Sequence, residues 1–247
     1  MPRFFVSTEN FTGGSVTICG DDAWHIARSL RMAVGESITV CDGAGNEHLC
    51  TLEKISDTAV QAAVQSVRRA ESEMPFHTVL YQALPKGDKM DLIVQKAVEE
   101  GVCEIVPFLS ERCISRPDEK SLAKKIARWQ RIAHEAAKQC GRGVLPTVGG
   151  LLTYGQMLAR AQQDTLCCFC YEGEGTRSIR AALRGADLKN GGSLSVVIGS
   201  EGGFSEAEAA DAAAAGLVSC GLGKRILRCE SASGFALACI SYEFELS

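Results

Sequence analysis

Hydrophobic and polar positions alternate in short runs over the first seventy residues of the chain. Strand-like segments separated by turn-forming residues occur at 15–18, 37–41 and 49–55. One helical stretch is predicted over 21–31, where Asp21 or Asp22 can cap the first turn. This pattern predicts a small β-barrel that carries one helix and ends in the polar segment 69–75.

From residue 77 onward the pattern changes to apolar runs that alternate with segments of helical period. The apolar runs predict strands at 77–84, 103–109, 165–171, 193–198 and 217–221. The other segments predict helices at 89–100, 122–140, 178–184, 206–215 and 231–244. Strands that alternate with helices, several of them continuously apolar, are typical of a mostly parallel sheet. We therefore predict an α/β fold with two domains, 1–72 and 73–247.

The predicted helix 122–140 separates basic and apolar residues onto opposite faces. Its basic stripe, here called the rail, consists of Lys120, Lys124, Arg128, Arg131, Lys138 and Arg142. Its apolar side consists of Leu122, Ile126, Trp129, Ala133, Ala136 and Cys140. The rail is either a solvated face or a phosphate-binding surface. The net charge of the whole chain is −4, which argues mildly against an indiscriminate nucleic-acid binder.

The composition is that of an ordinary globular protein, with 46% hydrophobic and 23% charged residues among 247. No apolar run reaches the ~18 residues of a membrane span, and the N-terminal segment lacks the features of a secretory signal. The twelve cysteines show no disulfide-framework spacing, which favours a reducing compartment. We expect a cytoplasmic protein with no membrane partner.

A single C-x-x-C pair, Cys167 and Cys170, lies in a segment of buried-strand composition. No second pair and no nearby histidine completes a set of four ligands, and the four histidines are scattered. We predict that both thiols pack in the core and that the protein has no metal site.

The segment 196–205, VVIGSEGGFS, places three glycines around one carboxylate, Glu201, directly after a buried strand. In open parallel sheets ligands bind at the carboxyl ends of strands, where glycines allow the backbone to approach closely. Ser205 is expected to cap the next helix. The segment fits neither the dinucleotide fingerprint nor the phosphate loop. Because Ile198 stands where a nucleophile elbow has glycine, Ser200 is a poor nucleophile candidate.

A second loop, 221–231, also leaves a predicted strand and enters a helix, for which Ser231 is the expected cap. Its glycines alternate with apolar residues, and Arg228 and Glu230 follow. If the two loops follow neighbouring strands, they line a cleft of backbone, apolar side chains and few charges. Such a cleft suits a small amphipathic cofactor with a planar base better than a triphosphate.

Several motifs in the same order resemble the ribosomal RNA small-subunit methyltransferase E family of the SPOUT class. They are ALPKGDKMD at 83–91, Glu135 with Gln139 and Arg142, IGSEGGFS at 198–205, and GLGKRILRCESA at 221–232. The opening PRFF and the segment from His25 to Met32 extend the resemblance to essentially the whole chain. Three positions depart from the family pattern, which usually has proline at Ser200 and threonine at Cys229 and Ser231.

The resemblance implies a PUA-like β-barrel that binds RNA, followed by an α/β domain with a deep trefoil knot. It implies a homodimer that uses S-adenosylmethionine to methylate N3 of a uridine in 16S ribosomal RNA, either as naked RNA or within the small ribosomal subunit. The expected cofactor-binding residues are Gly199, Gly202, Gly203, Leu222, Gly223, Ile226 and Leu227. The expected RNA-binding residues are Arg3, Arg28, Arg31, Lys86, Lys89, Arg128, Arg131 and Arg142.

The catalytic roles are assigned as hypotheses. The reaction needs a base, because uridine N3 must lose a proton before it can attack a methyl group. Glu201 or Glu230 is the base, or the carboxylate that orients it, and Arg228 stabilises the uracil anion. A structural ion pair between Arg228 and Glu230 is an alternative for those two residues. The alternative functions are a non-catalytic dimeric RNA-binding protein, a methyltransferase of another RNA, and a nucleotide-dependent enzyme that uses the α/β cleft, such as an oxidoreductase. The missing dinucleotide fingerprint disfavours the last of these.

Overall fold

The computed structural model describes residues 1–188 and 191–246, which divide into two compact units. The first unit consists of Met1–Glu73 together with Ala137–Leu145. The second consists of Met74–Ala136 and the described residues from Pro146 onward. The predicted domain division at residue 72 stays a prediction. None of the helices in the described part of the chain combines the length and apolar character needed to cross a bilayer.

The first unit is built around a six-stranded sheet. Its strands are β1 (Arg3–Phe5), β2 (Phe11–Thr12), β3 (Ser15–Cys19), β4 (Ser37–Cys41), β5 (Asn46–Ile55) and β6 (Ala59–Arg69), in the spatial order β1-β4-β5-β6-β3-β2. All pairings are antiparallel except β1 with β4. The predicted helix is present as α1 (Asp21–Trp24), which continues into one π-helical turn, His25–Ser29. Strand β6 was not predicted as a separate strand, because alanine and glutamine are poor strand formers and pairing with β5 overrides that preference.

The second unit is a parallel sheet with helical crossovers. Its strands are β7 (His77–Ala83), β8 (Glu104–Leu109), β9 (Thr147–Val148), β10 (Leu152–Thr153), β11 (Leu166–Cys170), β12 (Arg177–Ser178), β13 (Ser193–Ile198) and β14 (Val218–Gly221). Its helices are α2 (Lys89–Glu99), α3 (Glu119–Cys140), which continues into the first unit, α4 (Tyr154–Ala161), α5 (Ile179–Arg184), α6 (Glu206–Ala214) and α7 (Cys229–Phe244). Every strand pairing in this sheet is parallel, as predicted.

The spatial order of this sheet is β10-β8-β7-β13-β11-β14-β12, with β9 beside β8. Strands β13 and β14, which lead into the two glycine-containing loops, are therefore not neighbours, because β11 lies between them. The expectation that these loops follow adjacent strands is wrong. The carboxyl ends of parallel strands still meet at one edge of the sheet, so both loops, and the loop after β11, emerge at the same edge.

Two local features hold the first glycine loop in place. Phe204 is buried and its ring lies 4.3 Å from the ring centroid of Phe169 on β11, so the loop is anchored to the core of the sheet. Ser205 caps α6 as predicted, in a capping box with Glu208. The Oε1 atom of the buried Glu208 also accepts a hydrogen bond from the backbone N–H of Glu111 at 2.8 Å. These contacts fix where the loop begins α6.

Candidate active site

A cleft of about 460 Å³ opens at the carboxyl edge of the parallel sheet. Its walls come from three loops, which follow β11, β13 and β14. The volume lies within the range of sites for small molecules and cofactors. Thus the two glycine loops that the sequence singled out do line one cleft, although strand β11 lies between the strands that lead into them.

The glycines allow the loops to approach closely where side chains would not fit. A Cβ atom on Gly199 would lie 3.0 Å from the Cα of Gly203, and one on Gly203 would lie 2.5 Å from Oε1 of Glu172. Gly203 also adopts φ +62°, a conformation that L-residues with side chains rarely adopt. The buried hydroxyl of Ser200 lies on the cleft wall and has no hydrogen-bond partner among the residues that the structure describes. These features describe a backbone-lined cradle with an unused polar group.

Six of the seven residues predicted to bind a cofactor line the cleft. They are Gly199, Gly203, Leu222, Gly223, Ile226 and Leu227. Ile226 is 82% exposed, so it is not a core residue. Gly202 is not part of the lining: a Cβ atom there would meet Arg112 at 2.9 Å, and its carbonyl accepts a hydrogen bond from Arg112 Nη1 at 2.9 Å. Its small size serves packing against Arg112 instead.

Sequence reasoning missed the loop that follows β11. This loop contributes Tyr171, Glu172 and Thr176 to the cleft. The strand itself was predicted, and a parallel strand points its carboxyl end to the ligand-binding edge. The available signal was therefore the position of these residues directly after a buried strand.

Glu201 lines the cleft and contacts the residues at the start of α2. Its carboxylate accepts hydrogen bonds from Lys89 Nζ at 2.8 Å and from the backbone N–H of Lys86 at 3.1 Å. Burial works against ionisation, but the hydrogen bond from Lys89 and the backbone donors outweigh it, so the pKa of Glu201 is lowered. Glu201 is therefore a carboxylate at neutral pH.

Glu230 lies in the first turn of α7, close to the same lysine. Its Oε2 lies 3.6 Å from Lys89 Nζ and accepts a hydrogen bond from the buried thiol of Cys229 at 3.3 Å. Burial opposes ionisation here too, but its own backbone N–H, Cys229 and the charges of Lys89 and Arg228 lower the pKa of Glu230. Burial, with Glu230, raises the pKa of Cys229 to about 12. The thiol is thus a donor at Glu230.

Arg228 is an exposed residue at the N-cap position of α7. Within the described chain the ion pair recorded at Glu230 is with Lys89, so the alternative of an Arg228–Glu230 ion pair is not realised. Arg228 does not line the cleft. Ser231 was expected to cap α7, but the helix starts two residues before it, and its N–H donates to the Arg228 carbonyl at 2.9 Å.

The residues predicted to contact RNA fall into three groups. Arg3 and Arg142 are engaged within the first unit: Arg3 donates to Glu47 at 2.7 Å, and Arg142 is 3% exposed and paired with Glu73. Arg142 also lies beyond the end of α3, so it belongs neither to the rail nor to the RNA-contacting residues. Only 15% of the Arg3 side chain is exposed, so the prediction that Arg3 contacts RNA is not supported either.

The other RNA candidates are exposed, apart from Lys89. Arg28 pairs with Asp57 and Arg128 with Asp91, and both guanidinium groups are more than half exposed. The remaining exposed candidates are Arg31, Lys86 and Arg131. Lys89 is partly buried and pairs with Glu201, which lines the cleft, and with Glu230 in the first turn of α7.

The C-x-x-C pair lies on β11, where Cys167 is buried and Cys170 is half-buried. Burial raises the pKa of the Cys167 thiol to about 12, as expected for a thiol packed in the core. Across residues 1–188 and 191–246, no three His, Cys, Asp or Glu side chains are grouped to hold a metal ion.

Comparisons with known proteins agree with this architecture. Residues 72–241 match the profile described as RNA methyltransferase domain, and residues 18–65 match that of the RNA methyltransferase PUA domain. The ribosomal RNA small subunit methyltransferase E of Bacillus subtilis strain 168 is 37% identical over 232 residues, which cover 93% of this chain and 91% of the relative. That of Synechocystis is 32% identical over 97% of this chain and 77% of its own length.

Solved structures give the same result at the level of the fold. The crystal structure of a ribosomal RNA small subunit methyltransferase E from Neisseria gonorrhoeae bound to S-adenosyl methionine superposes with a TM-score of 0.84 at 32% identity, and the match covers 99% of this chain and 98% of that chain. The predicted fold, a PUA-like domain followed by a mostly parallel α/β sheet, is confirmed. On these matches the chain belongs to the ribosomal RNA small subunit methyltransferase E family.

Proposed function

We propose that this protein transfers a methyl group from S-adenosylmethionine to N3 of a uridine in 16S ribosomal RNA. The observation that carries the proposal is the three-loop cleft with a carboxylate, Glu201, on its wall. The cleft offers backbone groups, apolar side chains and the buried hydroxyl of Ser200, which suit a ligand with both apolar and polar parts. A relative of this family has been solved with S-adenosyl methionine bound, which supports this choice of cofactor.

The residues that would hold the cofactor are those of the cradle. Gly199 and Gly203 leave the backbone open to it, and Leu222, Ile226 and Leu227 offer apolar surface. When bound, S-adenosylmethionine would supply a methyl group on a sulfonium, and the electron pair of the C–S bond would stay on sulfur. The protein must therefore position the uridine, remove its N3 proton and stabilise the charge that develops.

Glu201 or Glu230 accepts the N3 proton, and the freed electron pair on N3 forms the new N–C bond. Both groups are ionised at neutral pH, so each can accept a proton without first losing one. Arg228, exposed at the start of α7, stabilises the negative charge on the uracil oxygens. The protonated carboxyl then returns its proton to solvent.

The remaining parts of the proposal rest on the family. They are the trefoil knot of the SPOUT class, a homodimer, a cytoplasmic location, and RNA binding by the first unit with help from the rail. The PUA profile on residues 18–65 supports the assignment of RNA binding to the first unit.

Mass mapping of modified nucleosides tests the reaction. Ribosomal RNA from cells that lack the protein should lose one N3-methyluridine of 16S RNA, and the purified protein with S-adenosylmethionine should restore it on naked RNA or on small subunits. A lost modification on another base or another RNA would overturn the target. An unchanged modification pattern, together with no heat of S-adenosylmethionine binding in calorimetry, would indicate a non-catalytic RNA-binding protein.

A further inference from the structure

One lysine lies between the two carboxylates of the site. Lys89 Nζ is 2.8 Å from Oε1 of Glu201 and 3.6 Å from Oε2 of Glu230. The two carboxylates come from different parts of the chain, the loop after β13 and the first turn of α7. Lys89 is the point at which these parts are joined electrostatically.

The position of Lys89 in its own helix is unfavourable. It is the first residue of α2, where the helix dipole disfavours a positive charge. A residue that is unfavourable for its own helix must be stabilised by contacts from other parts of the chain, and residues of this kind concentrate at functional sites. Here these contacts are supplied by Glu201 and Glu230, whose negative charges the helix N-terminus also favours. Helix propensity alone does not explain a lysine at this position, whereas its ion pairs with Glu201 and Glu230 do.

The hydrogen bonds at Glu201 are unequal at its two oxygens. Oε1 accepts from Lys89 at 2.8 Å and from the backbone N–H of Lys86 at 3.1 Å, whereas the contact of Oε2 with the same N–H is longer, at 3.4 Å. Oε1 is therefore occupied as an acceptor, and Oε2 retains capacity to accept a proton from a ligand. Lys89 thus orients the carboxylate as well as pairing with it.

The charged and titratable groups that face Lys89 are Glu201 from the loop after β13, and Cys229 and Glu230 from α7. The hydrogen bond to Glu201 raises the pKa of Lys89, so the ammonium is present throughout the neutral range. The group of one lysine and two glutamates therefore carries a net charge of −1. That charge is favourable beside a cationic sulfonium and unfavourable beside RNA phosphate.

We propose that Lys89 is a positioning residue for the methyl transfer, which holds Glu201 and Glu230 on its ammonium and occupies Oε1 of Glu201, so that Oε2 accepts the proton. This inference rests on the proposed function for its catalytic meaning. It replaces the expectation that Lys89 binds RNA phosphate, and that earlier role becomes an outcome of the test.

The test compares Lys89→Met, Lys89→Arg and a matched control, Lys96→Met, in two measurements. Lys96 lies on the same helix and pairs with Glu99, away from the cleft. The first measurement is the titration of the glutamate side-chain carboxyl carbons by NMR in the protein without cofactor, which needs no activity. Lys89→Met should raise the pKa of Glu201 by about 1, as loss of an adjacent opposite charge does. Lys89→Arg should restore much of the difference, and Lys96→Met should leave Glu201 unchanged.

The second measurement is the pH profile of single-turnover methylation of small-subunit RNA. In Lys89→Met we expect the rate to fall at least about tenfold, equivalent to about 1.4 kcal/mol, and the acid limb to move to higher pH. The KM for RNA should stay within about twofold, because a group that acts through Glu201 changes the chemical step rather than RNA binding.

The outcomes separate the two hypotheses. An unchanged Glu201 titration in a folded Lys89→Met variant overturns the positioning role. So does a raised KM with an unmoved pH profile and a weaker salt dependence, which is the behaviour of a phosphate contact. If the unaltered protein methylates no RNA, the proposed function fails, while the titration still decides whether Lys89 controls both carboxylates. If Lys89→Met does not fold, both measurements are made on Lys89→Arg. A Glu201 titration and a pH profile of the rate that match neither the wild type nor values between the wild type and those expected for Lys89→Met would overturn the role.

Discussion

Arg142 Nη2 donates to Oε2 of Glu73 at 2.7 Å, and its Nε lies 3.0 Å from both carboxylate oxygens. The same carboxylate accepts backbone hydrogen bonds from Gly143 and Val144. Four donors thus converge on one carboxylate at the end of the first unit's N-terminal segment, and they attach the later segment Ala137–Leu145 to it. Arg142, which the sequence analysis placed at the end of the rail, therefore forms a structural ion pair with Glu73.

Arg142→Ala should destabilise the protein by about 3 kcal/mol, because removal of one partner leaves the other charge buried and unpaired. Arg28→Ala is the matched control, since the Arg28–Asp57 pair is about half exposed and should contribute little to stability. Urea unfolding at neutral pH measures both. Equal and small losses in the two variants would show that the Arg142 pair adds no stability.

The pH dependence of the same variant has a definite sign. Burial opposes ionisation of Glu73, but the hydrogen bonds and charge of Arg142 lower the pKa of this carboxyl below its ordinary value. A group with a lowered pKa contributes stability above its unfolded pKa and loses it as the pH falls through the folded pKa. The gap in unfolding free energy between wild type and Arg142→Ala should therefore narrow in acid.

Local patterns predicted the elements that carry the site. The helix predicted at 89–100 is α2, and Ser205 caps α6 because Ser and Glu three residues apart form a capping box. The same signal, Thr153 with Gln156, caps α4, a short helix that periodicity alone did not reveal. Arg142 kept the helical spacing of the rail, but Gly141 ends α3 with φ +83°, as glycine after a helix commonly does.

Long-range relationships were beyond the sequence. No periodicity indicates that β11 lies between β13 and β14, because strand order depends on which crossovers pack best. For the same reason, the contact of Lys89 with Glu201 and Glu230 could not be foreseen, since each residue lies in a different loop or helix start. The residue types of the cleft were predictable, and their partners were not.

Gly199→Ala should weaken S-adenosylmethionine binding by about tenfold, which is about 1.4 kcal/mol. Its new methyl group would lie 3.0 Å from the backbone of Gly203, so the two sides of the loop must separate. Gly155→Ala is the control: it has open space around it and should leave binding unchanged. Calorimetry measures both, and similar affinities would mean that the cofactor does not depend on this close approach.

Arg228→Ala should reduce turnover by about 30- to 1,000-fold, as loss of one donor to a developing negative charge does, at about two to four kcal/mol. S-adenosylmethionine affinity should change little, because Arg228 does not line the cleft. Arg228→Lys should recover part of the rate, since it keeps the charge but loses the planar fork. Single-turnover rates and calorimetry separate the two quantities, and an unchanged rate would remove Arg228 from catalysis.

Replacement of three exposed residues on α3 by glutamine should flatten the salt dependence of RNA binding. They are Lys124, Arg128 and Arg131. Each phosphate contact contributes roughly 0.7 to 0.9 to the slope of log K against log salt concentration, so the slope should fall by about 2. Arg128 already pairs with Asp91, which limits its share.

A control variant removes the same charge elsewhere. It changes Lys96, Arg180 and Arg184 to glutamine, all exposed residues on α2 and α5. Filter binding across a salt series compares the two triple variants. A slope that the α3 variant leaves unmoved would confine RNA contact to the first unit.

We expect Glu100 to make the packing of α2 against α7 depend on pH. This residue follows the last turn of α2, and its buried Oε2 has no hydrogen-bond partner within residues 1–188 and 191–246. Burial raises the pKa of Glu100 to about 6, with Lys96 and Glu99 acting from its own helix. Gly234 and Cys239 of α7 face it, and a Cβ atom on Gly234 would lie 3.5 Å from its Oε1.

The direction of the effect follows from the raised pKa. The native state keeps its full stability below the ordinary pKa of a glutamate and loses part of it as the pH rises through about 6, because the buried carboxyl must then ionise. Glu100→Gln avoids that cost and should be about 1 kcal/mol more stable than wild type at pH 8, after allowance for partial solvation, with no such advantage at pH 4.5. Glu99→Gln should behave oppositely, since the hydrogen bond from Lys96 lowers the pKa of Glu99 and its charge is stabilising at neutral pH. Urea unfolding across this pH range should therefore give curves for the two variants that diverge from wild type in opposite directions, and parallel curves would contradict a buried, unpaired carboxyl between these helices.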